Sequence, residues 1–171
     1  MTRVLRAASS ALAIALVLTF TPAALTAQKP ATPMCATLLT ADELSKAVVP
    51  GFQEMGPDER EAGESSCPWM LRGGKDGFKT VNVQFYTPAA IKTSPMAPTA
   101  DKYFEMLVTA AEESNKKKRE VLPGIGVKAA FVATDPQVLA VVQRADGVAR
   151  IVGNNLTKAQ ITAVAKAVAT P

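Results

Sequence analysis

Residues 128–155 read KAAFVATDPQVLAVVQRADGVARIVGNN. Three runs rich in Val, Ile, Leu and Ala lie within this stretch, at 129–133, 137–144 and 148–153. They are parted by Thr134-Asp135-Pro136 and Ala145-Asp146-Gly147. Each run has strand length, and each divider carries the turn-forming residues that let a chain reverse in a few positions. Strands joined by such short turns pair as antiparallel hairpins, because a parallel return needs a crossover of a dozen residues or more. This stretch therefore predicts three consecutive antiparallel strands.

Upstream, residues 78–86 alternate cleanly. Val81, Val83 and Phe85 share one face, and Thr80, Asn82 and Gln84 share the other. That is the period of a half-buried strand. Residues 67–71 (CPWML) read as a shorter partner, joined through the Gly-rich turn at 72–77. Pro68 cannot donate to a ladder, which places this strand at an edge.

Three helices complete the pattern. Thr40 is an N-cap with Glu43 three residues on, a capping box bracketed by the staple pair Leu39 and Leu44. Leu44, Ala47 and Val48 give the helix its apolar stripe, and Pro50-Gly51 ends it. A second helix is expected over 100–117, burying Tyr103, Phe104, Leu107, Val108 and Ala111. Glu112 with Lys116 and Glu113 with Lys117 stand at the i, i+4 spacing of favourable pairs. The third repeats the first one's opening, with Leu156, Thr157, Gln160 and Ile161 in the same roles, and Ile161, Val164, Ala165 and Val168 form its stripe. The order is α-β-β-α-β-β-β-α. It predicts a single α+β domain over residues 35–171, a mostly antiparallel sheet of about five strands covered by about three helices.

The N-terminus reads as an export signal. Arg3 and Arg6 precede an apolar run at 11–20, ALAIALVLTF. At about ten residues it suits a signal-peptide core and falls short of the roughly 20 that a spanning helix requires. Thr21-Pro22 breaks the run and small residues follow to Ala27, so cleavage is expected after Ala27, leaving residues 28–34 as a flexible lead-in with Pro30 and Pro33. Loss of Arg3 and Arg6 takes the net charge from +4 to +2. A balance this small gives no reason to expect nucleic-acid or polyanion binding. No second apolar run reaches spanning length, so no membrane insertion is expected after processing.

Cys35 and Cys67 are the only cysteines, and both lie in the exported part. In an oxidising periplasm or cell exterior, an even and minimal count argues for one bridge. Closing a loop of about 33 residues would add roughly 3.5 kcal/mol in the chain-entropy description. Trp69, two residues on from Cys67, is expected to pack on that bridge.

Cys35, then Leu38-Leu39-Thr40 with Glu43, then Cys67-Pro68-Trp69, then Gly124-Ile125-Gly126 with Ala129, and the later strand Leu139-Ala140-Val141 together form an ordered pattern. It resembles a group of secreted proteins and lipoproteins of unknown function in bacteria. The resemblance implies an extracytoplasmic α+β domain of PsbP-like fold with the cysteines bridged, and it implies no activity. This chain departs from the group in two places. Thr32-Pro33-Met34 ahead of Cys35 make no lipobox, and Val127 stands where such proteins often carry Asp.

The chain has no histidine. That removes Ser-His and Cys-His nucleophilic sites, His-ligated zinc and haem, and histidine proton shuttles. Gly124-Ile125-Gly126 lacks the third glycine of a dinucleotide loop and leads into a strand rather than a helix. Gly73-Gly74-Lys75 lacks P-loop spacing. Asp58, Glu59, Glu61 and Glu64 crowd one loop without the alternate spacing of a calcium loop. Lys116-Lys117-Lys118-Arg119 closes a helix, where cations offset the macrodipole. Asn155-Leu156-Thr157 is a formal glycosylation sequon whose Thr157 already serves as a cap.

No catalytic, cofactor or metal residues are therefore assigned. The expected function is non-catalytic binding of a protein or small ligand. The alternative is a His-free hydrolase using Glu61 or Glu64, or a Ser-Lys pair from Ser65 or Ser66 with Lys75. The expected binding rim comprises Ile91 and Met96 in a Pro-rich loop at 87–98, with Gly124, Ile125, Gly126 and Lys128 in the connector at 123–128.

Overall fold

The computed structural model describes residues 35–56, 63–73 and 77–170. The expected signal peptide and lead-in lie outside them, as do Asp58, Glu59, Glu61 and Lys75. In chain order the elements are α1 (Cys35–Leu38), α2 (Ala41–Ala47), β1 (Gln53–Glu54), β2 (Glu64–Leu71), β3 (Lys79–Tyr86), α3 (Pro88–Thr93), α4 (Ala100–Asn115), β4 (Glu120–Val121), β5 (Lys128–Ala133), β6 (Gln137–Arg144), β7 (Gly147–Asn154) and α5 (Lys158–Ala169). They form an α+β fold around one sheet of seven strands in the order β1-β2-β3-β7-β6-β5-β4, with every pair antiparallel.

The opening stretch forms its three strands within a residue or so of the expected bounds. The sheet has seven strands rather than about five, because β1 and β4 are two-residue strands at the two edges. A two-residue strand has no period to read. β1 also moves the edge outward from β2. Pro68 still fits, since the Met55 N–H donates to the Pro68 carbonyl at 2.9 Å. Its missing donor thus faces β1 and costs the β2–β3 ladder nothing.

The Pro-rich loop at 87–98 contains a helix. Thr87 caps α3 by accepting from the Ala90 N–H at 3.3 Å, and Pro88 sits in the first turn. Proline there starts a helix rather than breaking one, because the N–H it lacks has no intrahelical partner in any case. α4 stops at Asn115, and Lys116 turns left-handed at φ 53°. The Glu112–Lys116 pairing is thereby replaced. The chain doubles back and Arg119 reaches Glu112 Oε2 through Nη2 at 2.6 Å and Glu105 Oε2 through Nη1 at 2.5 Å. The basic run at the end of α4 thus has its arginine neutralised by the helix's own acids.

Helices flank both faces of the sheet. On one, α1, α2 and α5 enclose Trp69, Val81, Val83, Phe85, Val142, Ala149 and Ile151 together with Leu44, Ile161 and Val164. Both capping boxes form: Thr40 with Glu43 opens α2, and Thr157 with Gln160 opens α5. Their staple residues Leu39, Leu44, Leu156 and Ile161 are all buried. Cys35 and Cys67 are bridged with their Cα atoms 5.5 Å apart, and Trp69 belongs to the same apolar cluster. Arg144 clamps the end of α5, donating from Nη1 to the Val168 carbonyl at 2.7 Å. A cation at a helix C-terminus is electrostatically favoured. Gly147 opens β7 where only glycine fits, because a Cβ would overlap the Tyr86 carbonyl oxygen and the Phe85 ring.

The other face is roofed over only part of its width. α4 lies across β5, β6 and β7, with Phe104, Val108 and Ala111 packed on Ala130, Val132, Leu139, Val141 and Val148. α3 meets β3, adding Ile91.

Candidate functional site

Strand alternation decides what the rest of that face displays. Since Val81, Val83 and Phe85 point into the α5 side, Thr80, Asn82 and Gln84 point the other way. The register carries the pattern across the sheet in three rows. Ser66, Gln84, Arg150 and Val141 are neighbours in the first. Pro68, Asn82, Val152 and Leu139 make the second, and Met70, Thr80, Asn154 and Gln137 the third. Val141 and Leu139 lie under α4, while Pro68, Met70, Thr80 and Asn82 of β2 and β3 line a surface concavity.

This surface is a buried to half-buried floor of amides and hydroxyls with an apolar margin. Asn154 Nδ2 donates to Thr80 Oγ1 at 2.5 Å, Ser66 Oγ donates to Asn82 Oδ1 at 3.1 Å, and Arg150 Nη1 donates to Gln84 Oε1 at 2.7 Å. Pro68, Met70, Val152 and the exposed Met55 line a concavity of about 400 Å³ over the same floor. A second concavity of about 300 Å³ lies beside the end of α4, lined by Leu107, Ala111 and Asn115. Arg150 and Gln137 line both.

Arg150 differs from the acids and from Arg144 in the other surface hollows; Lys102, beside Met96, likewise shows no acid partner among the described residues. The hollow of about 420 Å³ beside Met96 on α4 has its acids engaged: Asp101 holds Lys128 at 2.8 Å, and Glu105 holds Arg119. Asp101 is kept below the usual carboxylate range, first by its hydrogen bond from Lys128 and then by that group's charge. In the hollow of about 340 Å³ beside Gly126, Arg144 is committed to Asp146 and the Val168 carbonyl. Arg150 meets no carboxylate among the described residues; its hydrogen bond goes to a neutral amide.

Most of the expected rim residues divide between two surface hollows and the core. Met96 is exposed (82%) and lines the α4 hollow, while Gly126 lines the other. Lys128 is held by Asp101 and lies over the Phe104 ring at 4.9 Å. Gly124 is exposed. Ile91 and Ile125 are core residues, 2% and 3% exposed, because α3 turns Ile91 onto the α4 layer and Ile125 joins the α5 layer.

Of the hydrolase candidates, Glu61 and Lys75 lie outside the described residues. Ser65 and Ser66 point to opposite faces of β2. Ser65 Oγ is buried without a hydrogen-bond partner among the described residues, and Ser66 Oγ is engaged by Asn82. Glu64 pairs with Tyr86 at the far end of the ladder. There the Tyr103 phenol is pushed well above its ordinary range, by burial first and then by Tyr86 and Glu64. No cluster of three or more His, Cys, Asp or Glu suited to a metal occurs among the described residues, and no described helix is long and apolar enough to cross a membrane.

Arg150 and Asn154 are the residues that sequence reading passed over. Their signal was present: they interrupt the apolar run of β7 at positions that share one face with Val148 and Val152. Comparison with protein families, with curated proteins and with solved structures finds no match for this chain.

Proposed function

We propose that this chain is an exported, non-catalytic binding domain whose ligand lies on the open half of the sheet. Binding sites are concave, largely apolar surfaces with a few converging polar groups. The observation that carries the reading is Arg150, half-buried at the centre of the sheet, lining two neighbouring hollows and without an acid partner among the described residues. The scaffold is rigid beneath it, since β3 and β7 are central strands whose opposite faces are fully packed. Export is supported by the signal-like start and by the Cys35–Cys67 bridge, which persists in oxidising compartments.

Two measurements test this. Protein recovered from a bacterial periplasm should have the intact mass of a chain starting at Gln28, and retention of residues 1–27 contradicts export processing. Crystals of that material should show any co-purified ligand over Asn82 and Arg150, and assays against ester, amide and glycoside substrates should show no turnover. Turnover abolished by Ser66→Ala or Glu64→Gln, with the fold intact, would replace binding with hydrolysis.

A further inference from the structure

Resting on that binding reading, we infer that the ligand is a small organic carboxylate with an apolar chain, its carboxylate anchored on Arg150. Charge is the first argument. Among the described residues Arg150 is the one charged side chain lining either hollow, and it brings a single positive charge. A lone half-buried guanidinium matches a monoanion. A phosphate ester, at about −1.5 to −2, would bring more negative charge than this site offsets.

Donor geometry is the second argument. Arg150 commits Nη1 to Gln84, and its Nε and Nη2 make no hydrogen bond among the described residues. Those two N–H groups present the planar fork that carboxylates occupy with both oxygens. Gln84 fixes the guanidinium from the neighbouring strand, so the fork is oriented before a ligand arrives. Asn82 accepts from Ser66 through Oδ1, which leaves its Nδ2 donor for the same anion or for a neutral oxygen beside it.

Surroundings are the third. Among the described residues no acid lines either hollow. Apolar side chains lie on both sides of Arg150: Pro68, Met70 and Val152 in one hollow, Leu107 and Leu139 in the other. An aliphatic chain extending from the anchored carboxylate would bury against either group, and each buried methylene favours binding by about 0.8 kcal/mol.

Octanoate, octanamide and octyl phosphate serve as probes, titrated into the periplasmic protein by calorimetry, with amide NMR shifts locating each. Octanoate should move the signals of Asn82, Arg150 and Val152. Replacing it by octanamide should weaken binding at least about tenfold, since a charge-assisted pair becomes a neutral one. Arg150→Gln should weaken octanoate binding by a similar factor with an unchanged circular dichroism spectrum; the octanamide comparison needs no variant and decides the matter if this one misfolds. Equal binding of octanoate and octanamide overturns the anionic anchor and leaves the binding face standing. Octyl phosphate binding more than about tenfold tighter than octanoate overturns the carboxylate assignment. No binding by any of the three also overturns the carboxylate class. Octanoate shifts confined to another surface overturn both the anchor and the face.

Discussion

On the α5 side of the sheet, strands from β2 through β5 send apolar side chains into one sealed layer, and helices close it. On the α4 side the same strands meet a roof that covers β5, β6 and β7, and the β2–β3 flank is carpeted with amides and hydroxyls. β3 shows the difference within eight residues: Val81, Val83 and Phe85 are buried, while Thr80, Asn82 and Gln84 are half-buried. The contrast teaches that stability and recognition are separated by strand alternation. One face holds most of the burial free energy, and this leaves the other free to carry polar groups that would be costly in a core. Substitutions one residue apart should therefore have very different consequences.

The largest effects belong to the sealed face. Cys67→Ser removes the bridge that ties α1 to β2, and denaturant titration should show a loss of about 2 to 5 kcal/mol. Ile151→Ala empties a fully buried site between β3 and β6 and should cost about the same, 2 to 5 kcal/mol. Thr40→Ala and Thr157→Ala each remove one cap, and each should cost about 1 kcal/mol. Unchanged midpoints in both would break the account of how α2 and α5 start.

The Glu43 carboxyl sits below its ordinary value of 4.5, first through the Thr40 backbone N–H and then through the Thr40 hydroxyl. Its contribution to stability is therefore complete above that ordinary value and is lost as pH falls through the lowered one. Glu43→Gln keeps an acceptor for the cap and should flatten that acid-side loss; an unaltered acid limb contradicts the assignment. The smallest effect is expected on the open face. Gln137→Ala, exposed and outside every packed layer, should stay within about 0.5 kcal/mol of the parent. A loss comparable to Ile151→Ala would erase the distinction between the faces.

The elements that sequence reading placed well are those that hold their own local code. The run from Lys128 to Asn154 carries strand length, composition and turn residues together, and the two capping boxes announce α2 and α5 within four residues each. Cysteine count and the expected oxidising compartment sufficed for the bridge. What escaped was either too short for a period, as with β1 and β4, or a proline read as a breaker when it opens α3. The candidate site escaped for a different reason. Gln84 and Arg150 are 66 positions apart, and they meet because β3 pairs with β7 rather than with the next strand in sequence. No local pattern encodes that neighbourhood. The rim was instead sought in loops, and two of its members, Ile91 and Ile125, are apolar residues that the fold claims for its core.

The most direct test of the separation is a fragment screen followed by amide NMR on the oxidised protein. Fragments that bind should perturb the signals of Thr80, Asn82, Gln84, Arg150, Val152 and Asn154 while sparing α5. Perturbations clustered instead around Met96, ahead of α4, or around Gly126 and Asp146, would contradict the account and return the binding surface to the loops.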